Sequence, residues 1–493
     1  MKRFLMSGIA AVLCALLMLP VCPSLAAAYS LNGDISGDSA VTAEDAVLLR
    51  DFLCGDSDVF YSYLGDMDGN GMLDARDLTL LKRRLSEPET PAERIPAPIS
   101  VLSPPMPSTG DVRLLIVMAD FPDCRFSHSI DTEQIRAQVF GEQTSEDPPY
   151  PLDSIRAYYE RASYGRLHID GDVYRFSVNR PIYTYAEHPD WLADTVLAGL
   201  DAEIDYHDYD ADSDGRIDTL MIAVPESASD DKWWPYSINI YSTQRYDGLR
   251  LANLCIGNTP IDAHAEFIST WTHELGHAME LPDYYYYENV TDDNYYGFRG
   301  DAGWEMMDKA QCDLCAFSKL MLGWYQTDEV AVYTGGTQSY ALESSQRAPG
   351  CLVIPRGDLN GYVSEYFVVE FAEPIGNNTY FYADNAPYIP FKTSGIRVMH
   401  CDATVVDTYS FTKELKWNNY GQFYDSSNLR QRVIRLANNR EGGYFYEAGD
   451  CIDGNISGFH WYDENGFETV DTGIRIFVTD DNNGVYTVMV TDE

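Results

Sequence analysis

The chain has 493 residues, and its 77 acidic against 34 basic side chains give it a formal charge of −43. An apolar content of 45%, with 13% aromatic residues, excludes a wholly disordered protein. The acidic excess argues against a broad phosphate-binding surface, and therefore against nucleic acid and anionic membranes as partners. The length predicts a multidomain protein, and the charge is compatible with export or with carboxylates that bind cations.

Residues 1–28 have the pattern of a secretory signal peptide. Lys2 and Arg3 precede an apolar run from Ile9 to Leu19, and small residues at 26–28 provide a cleavage signature. The apolar run is too short for a spanning helix, and no later stretch approaches transmembrane length. We therefore expect a secreted, extracellular protein with no membrane insertion.

The cysteines leave the disulfide pattern open. An even number remains after removal of the signal, which permits disulfides in an exported chain without determining them. Cys312 and Cys315 form a CxxC pair, but no second CxxC accompanies it. We expect a local structural role for this pair.

Two loops 32 residues apart carry oxygen-bearing side chains at the same positions, namely 1, 3, 5, 9 and 12. These are Asp34, Ser36, Asp38, Thr42 and Asp45 in the first loop, and Asp66, Asp68, Asn70, Asp74 and Asp77 in the second. Calcium takes six to eight oxygen ligands, and this spacing wraps them around one ion. Each loop leads into an apolar helix, predicted at 46–53 and 78–85.

This loop-helix duplication, over residues 31–86, resembles a type I dockerin. The resemblance implies a small all-α module, two bound calcium ions and a cohesin domain of a scaffold protein as partner, as in cellulosomes. The aspartate at position 12 of both loops also fits dockerins better than EF-hands, which have glutamate there. Residues 87–109 are rich in proline and predict a semi-rigid, extended linker.

A second motif has the spacing of a zinc site. Histidines at i and i+4 of a predicted helix, 267–281, lie on one face, so His273 and His277 can bind one zinc ion. Glu274 lies beside them as the base that activates water. A proline ends this helix, and the returning chain can bring Asp283 to the metal as third ligand, with Glu305 as the fallback. Met307 falls in a stretch, 303–308, that could form a methionine turn beneath the metal.

From Asp111 to the C-terminus, the chain resembles the immune-inhibitor-A family of secreted bacterial metalloproteases. The resemblance rests on blocks in the family's order: 112–123, 158–167, an aspartate loop, the zinc helix through Asp283, 317–324 and 395–400. It implies an α+β zincin (metzincin-like) metallopeptidase domain at 110–325 that hydrolyses protein or peptide substrates. Glu280 stands where the family usually has glycine, so a left-handed turn there would be strained.

The aspartate loop, 210–218, follows a DxDxDGxxD pattern that suits calcium. Its carboxylates are Asp210, Asp212, Asp214 and Asp218. We interpret it as one structural calcium site before a buried strand. The alternative is an aspartate-rich turn satisfied by its own backbone amides.

Tyrosines follow the zinc helix at Tyr284–Tyr287, Tyr295 and Tyr296. Their number prevents the assignment of a catalytic role, and we expect most of them to pack or to line a substrate cleft. From 326 to 493 the pattern changes to short alternating strands, which predict an all-β accessory region.

Two functions remain open at this stage. The first is a secreted zinc endopeptidase attached through its dockerin to a cohesin-bearing scaffold. The second is a catalytically inactive, scaffold-borne protein that binds polysaccharide or protein.

Overall fold

The computed structural model describes residues 35–36, 41–55, 65–67, 72–86, 94–142, 153–228, 231–285, 302–303, 305–308, 312–382, 394–408, 412–417, 419, 431–438, 445–481 and 484–492. The signal segment predicted at 1–28 lies outside these residues. The chain divides into two compact units, Met1–Thr90 and Pro91–Glu493. In the part of the chain described, no helix combines the length and the apolar character needed to cross a bilayer.

The first unit is built on two helices, α1 (Ala43–Cys54) and α2 (Ala75–Ser86), as the duplication predicts. Both begin inside their loops, so Asp45 and Asp77 lie in the first turn of a helix. Leu49 of α1 and Leu81 of α2 meet Ile35 in a small buried core. The repeat thus forms one hydrophobic cluster from two copies of the same element.

The second unit begins with a five-stranded sheet in the order β2-β1-β3-β5-β4. Four strands are parallel, and the edge strand β4 is antiparallel to β5. The strands are β1 (Gly110–Asp120), β2 (Leu167–Ser177), β3 (Arg216–Ala223), β4 (Tyr236–Asn239) and β5 (Arg250–Gly257). β1 lies between β2 and β3, and its apolar run is typical of a parallel strand that is covered on both faces.

Helices cover both faces of this sheet. They are α3 (Thr132–Phe140), α4 (Ile155–Ala162), α5 (Pro189–Leu200) and α6 (His264–Ala278). A further helix, α7 (Ala316–Met321), joins the core that contains α6. Alternate residues of β1 contribute to two separate cores, because successive side chains of a strand point to opposite faces. Leu114 shares a core with α3, α4 and α6, whereas Leu115 shares one with α5.

The C-terminal region is rich in sheet, as predicted, with two main sheets in the orders β13-β10-β9-β8-β6 and β14-β17-β18-β7. Two short hairpins, β11-β12 and β15-β16, accompany them. The strands are β6 (Val330–Val332), β7 (Gln338–Glu343), β8 (Cys351–Pro355), β9 (Glu365–Ala372), β10 (Gly395–Asp402), β11 (Val405–Asp407), β12 (Lys413–Leu415), β13 (Ile434–Leu436), β14 (Cys451–Ile452), β15 (His460–Tyr462), β16 (Glu468–Asp471), β17 (Arg475–Asp481) and β18 (Val485–Thr491).

The first of these sheets is buried on both faces. Leu352 and Val369 face the second C-terminal sheet, whereas Val353 and Val368 join the core that contains α6. The boundary placed at 325/326 from the sequence therefore lies inside a continuous hydrophobic core.

The proline-rich segment differs from its prediction as an extended linker. From residue 94 onward it is part of the second unit, with Ile95, Ile99 and Met106 buried in that unit's core. The N–H of Met106 donates to the carbonyl of Ala278, the last residue of α6. Apolar residues between the prolines explain the difference, because their burial stabilises a packed segment. Residues 87–93 lie outside the described residues.

A buried histidine joins the hairpin β15-β16 to the first C-terminal sheet. Nε2 of His400 lies 2.9 Å from Oε1 of Glu365, and its Nδ1 lies 3.1 Å from Oε1 of Glu468. Arg356 and Arg435 pair with the same two carboxylates. Burial by itself would lower the pKa of His400, but the hydrogen bonds to both carboxylates raise it above its usual value.

All eight cysteines that follow the signal segment lie among the described residues, and each is a free thiol there. Cys312 and Cys315 are fully buried in the second unit. Burial raises the pKa of both thiols.

Candidate metal centre

Helix α6 brings two histidines to one point. Phe267, Trp271 and Leu275 pack into the core, so the opposite face of the helix carries His273 and His277. The two imidazole rings meet edge to face, with their centroids 4.7 Å apart. The helix ends at Ala278, before the predicted end at 281, and the chain turns back at once.

The turn uses the left-handed conformation at Glu280, where φ is +68°. The N–H of Glu280 donates to the carbonyl of His277 at 2.8 Å, and that of Leu281 to the carbonyl of Gly276 at 3.0 Å. These are the two bonds of a Schellman motif, whose left-handed position is usually glycine. The strain expected from a side chain at this position is therefore present.

This turn directs Asp283 to the two histidines. Its Oδ1 lies 3.0 Å from Nε2 of His273 and 3.3 Å from Nε2 of His277. The carboxylate is buried, with 2% of the residue exposed. The three groups form one of the clusters able to hold a metal ion among the described residues.

Backbone carbonyls orient both imidazoles. Nδ1 of His273 lies 2.9 Å from the carbonyl of Met306, and Nδ1 of His277 lies 2.7 Å from the carbonyl of Leu281. Nδ1 therefore carries the proton in the neutral rings, and Nε2 is left as the ligand atom, which is the usual arrangement around metal-binding histidines.

The charges also favour a cation between these groups. Burial alone would lower the pKa of His273, but the Asp283 carboxylate raises it to about 9. Although burial opposes ionisation of Asp283, hydrogen bonds from both histidines hold its pKa well below the usual range. The buried carboxylate thus favours positive charge on the neighbouring imidazole.

The donor set fits zinc. Two imidazole nitrogens and one carboxylate oxygen are a common three-ligand set for catalytic zinc, which keeps a fourth position open. Ligand atoms on bonds of about 2.0–2.1 Å in a tetrahedron lie about 3.3 Å apart. The distances of 3.0 and 3.3 Å from Asp283 to the histidines are close to that value.

Glu274 lies next to this cluster and is 6% exposed. Burial raises the pKa of its carboxyl, although the two histidines oppose the shift. The backbone of Ser237, in the edge strand β4, also acts to lower the pKa of the Glu274 carboxyl. Glu274 is therefore a buried, oriented carboxylate beside the candidate metal ligands.

Met307 lies against α6 at Gly276, the residue before His277. A Cβ added at Gly276 would be 2.4 Å from the Met307 sulfur, so the two residues are in close contact. The carbonyl of Met307 accepts a hydrogen bond from the N–H of Tyr284 at 2.9 Å. Residues 305–308 thus form a turn packed against the helix, at the position predicted for a methionine turn.

Glu305, the fallback ligand, binds within the turn instead. It accepts hydrogen bonds from Met307 N, from Ser318 Oγ at 2.7 Å and from Cys315 N at 3.3 Å. Burial raises its pKa to about 7, against these hydrogen bonds. The cluster around the histidines contains Asp283 and not Glu305.

Of the six tyrosines, Tyr284 and Tyr285 are among the described residues. Tyr284 is buried, and its hydroxyl lies 3.0 Å from Oγ of Ser318. The ring of Tyr285 stacks beside that of His273, with centroids 6.1 Å apart. Tyr285 is thus the one that contacts a candidate ligand in this part of the chain. Tyr286, Tyr287, Tyr295 and Tyr296 lie outside the described residues.

The aspartate loop brings three of its four predicted ligands together. Carboxylate oxygens of Asp210, Asp212 and Asp218 lie within 4.8 Å of one another. Asp214 pairs instead with Arg216 at 2.7 Å. Burial, followed by the charges of the neighbouring aspartates, raises the pKa of Asp218 to about 8 against a hydrogen bond from Ala211 N.

The amides of the same loop also bond to these carboxylates. The N–H of Gly215 donates to Asp210 at 3.1 Å, and that of Ala211 donates to Asp218 at 3.2 Å. The loop therefore has features of both interpretations offered by its sequence, a cation site and a self-satisfied turn.

In each of the two loops of the first unit, the aspartate at position 12 accepts a hydrogen bond from the backbone N–H at position 9. Asp45 Oδ2 accepts from the N–H of Thr42 at 2.7 Å, and Asp77 Oδ2 accepts from the N–H of Asp74 at 2.8 Å. Both aspartates are fully buried. Ser36 and Asp66 are also described, whereas Asp34, Asp38, Asp68 and Asn70 lie outside the described residues.

The edge strand β4 is part of the site, although the sequence did not predict it there. Asn239 Nδ2 donates to Glu280 Oε1 at 3.1 Å, and Ser237 contacts Glu274. A short strand of mixed polarity carries no signal of its own, and its position follows from pairing with β5.

Comparison with curated protein sequences finds no match for the chain. Residues 32–88 match the family described as "Dockerin type I domain". The match covers both calcium-type loops and both helices of the first unit. Residues 32–88 are therefore a dockerin type I domain.

Proposed function

We propose that the second unit is a zinc-dependent endopeptidase that hydrolyses extracellular proteins. The observation that carries the proposal is the convergence of His273, His277 and Asp283 at one point, with the buried carboxylate of Glu274 beside them. The close contact of Met307 with the same helix supports it further.

In this proposal His273, His277 and Asp283 hold the metal, which supplies Lewis-acid chemistry when bound. The carbonyls of Met306 and Leu281 keep both Nε2 atoms directed at it. Glu274 takes a proton from the attacking water and later gives it to the leaving amine. Its burial favours this exchange, because a raised carboxyl pKa brings the base closer to the operating pH.

The dockerin defines where such an activity would be used. Dockerin domains bind calcium and attach to cohesin-bearing scaffolds, so the chain belongs to an extracellular, cellulosome-type assembly. We propose that residues 1–28 direct its secretion. The peptidase would then act at the scaffold, on proteins in its surroundings.

We further propose a structural calcium ion at the aspartate loop of the second unit. Asp218 supports this, because the residue is only 1% exposed. Burial and the charges of the neighbouring aspartates raise its pKa. Calcium would relieve the repulsion among the three carboxylates at the start of β3.

The test is hydrolysis of an unfolded protein by the purified full chain, with zinc content measured on the same sample. The variant Glu274→Gln should retain zinc and lose activity by about 10²–10⁴-fold, because general acid-base catalysis contributes that much. Glu266→Gln is the matched control, since Glu266 is exposed in the first turn of the same helix. It should keep full activity.

Activity that survives both chelation and Glu274→Gln would refute the peptidase. A zinc content near zero in calcium-loaded protein, together with no hydrolysis, would favour the non-catalytic binding protein.

A further inference from the structure

The edge strand β4 is joined to α6 at two positions. Side chains alternate along a strand, so those of Ser237 and Asn239 lie on the same face. The strand packs against the helix, where the backbone of Ser237 lies close enough to Glu274 to influence its pKa, and Asn239 Nδ2 donates to Glu280 just after the helix. The strand therefore runs alongside the end of α6 that carries Glu274 and the turn that contains Glu280.

Glu280, which accepts the hydrogen bond from Asn239, has a strained backbone conformation. Its φ of +68° is in the left-handed region, which is unfavourable for a residue with a Cβ and is usually occupied by glycine in this motif. Strain of this kind persists where the surrounding structure requires it. Here the side chain that causes the strain also makes the hydrogen bond to Asn239.

The hydrogen bond from Asn239 to Glu280 is the last in a series of side-chain hydrogen bonds that crosses the sheet. Thr219 Oγ1 of β3 donates to Asn253 Oδ1 of β5 at 3.0 Å. Asn253 Nδ2 donates to Asn239 Oδ1 of β4 at 3.2 Å. Thr219 and Asn253 are buried, at 0% and 1% exposure, so the orientation of Asn239 is determined from inside the sheet.

We propose that Glu280 is a positioning residue that acts through Asn239. It fixes the end of β4 against the C-terminal end of α6, and so sets the distance between the strand edge and the candidate metal ligands. An extended peptide can add to a sheet edge through main-chain hydrogen bonds. Glu280 would therefore determine how a substrate peptide on β4 meets Glu274, an inference that rests on the proposed peptidase function.

The first test compares Glu280→Gly and Glu280→Gln in the full chain. Glycine removes the contact together with the strain, whereas glutamine retains an oxygen that accepts from Asn239. Glu280→Gly should raise KM for an extended peptide about tenfold with less than a threefold change in kcat. Glu280→Gln should stay within about twofold of wild type in both, and zinc content should not change.

Asn360→Gly is the matched control for strain. Asn360 also has a left-handed backbone, with φ at +47°, and it is exposed. This variant should leave KM unchanged. Asn239→Ala should raise KM at least as much as Glu280→Gly, and the double variant should be no worse than Asn239→Ala alone, because both substitutions remove the bond between Asn239 and Glu280.

Hydrogen exchange gives a readout independent of activity. The amides of 236–239 should exchange about tenfold faster in Glu280→Gly and at the wild-type rate in Glu280→Gln. Unchanged exchange and unchanged KM in Glu280→Gly would overturn the proposal, as would additive effects in the double variant. If the wild type shows no zinc-dependent hydrolysis, the peptidase fails, and the exchange rates alone decide the role of Glu280.

Discussion

Replacing Glu305 by glutamine tests how the turn beneath α6 is stabilised. The Glu305 carboxyl is fully buried and bonds to Met307 N, Cys315 N and Ser318 Oγ. The neighbouring carbonyl of Met306 orients His273. Glutamine has nearly the same shape and keeps one acceptor oxygen, but it cannot ionise.

The size of the effect follows from the pKa of Glu305, which burial raises from 4.5 to about 7. Below pH 4.5 the carboxyl is protonated in both folded and unfolded chains. Between pH 4.5 and 7 the unfolded chain loses this proton while the folded chain keeps it, so the free energy of unfolding falls. A difference of 2.5 pH units at 1.36 kcal/mol each corresponds to about 3 kcal/mol.

Thermal unfolding of wild type and Glu305→Gln from pH 4.5 to 7.5 measures this difference. The Tm of the variant relative to wild type should rise by about 3 °C across this range, since an unfolding entropy of about 2.1 cal/mol/K per residue over a unit of about 400 residues corresponds to about 1 °C per kcal/mol. Glu266→Gln, with its exposed side chain, should show no such trend. A relative Tm for Glu305→Gln that does not change with pH, or that falls, would refute the reasoning.

Three further predictions concern other parts of the second unit. His400→Gln should destabilise it by about 3 kcal/mol at pH 6, because two buried carboxylates lose a charged partner. The raised pKa of His400 means that this loss should become smaller as the pH rises and the wild-type histidine loses its proton; a loss that grows with pH in unfolding experiments would contradict it. Calcium at about 100 times Kd should stabilise the wild type by about 2.7 kcal/mol. Calorimetry should find most of this increment missing from the second unit of Asp218→Asn and retained in Asp214→Asn; equal effects would argue against the three-carboxylate site. Gly276→Ala should cost about 1–3 kcal/mol through contact with the Met307 sulfur, and should be less harmful in a Met307→Ala background, so additive losses in Tm would exclude that contact.

Local patterns predicted the elements that depend on neighbours in the chain. The repeated loop spacing indicated the dockerin, and the i, i+4 spacing of His273 and His277 placed both rings on one helical face. Each of these follows from backbone periodicity or from ligand spacing within a few residues, and the sequence contains that information directly.

Contacts between segments that are distant in the chain could be identified only from the tertiary structure. Whether Asp283 or Glu305 lies beside the two histidines depended on a left-handed turn and on the amides of residues 307 and 315, which no local pattern reports. Asp214 is not part of the aspartate cluster and pairs with Arg216 instead.

The sequence by itself determined that this chain carries a duplicated calcium-type loop module and a helix with metal-ligand spacing. The tertiary structure decided that residues 94–109 pack on the second unit, that one core continues past residue 325, and that β4 lies beside Glu274. The physical reason is that burial and strand pairing join residues far apart in the chain. The free energy of such contacts depends on what the rest of the fold brings to the same place.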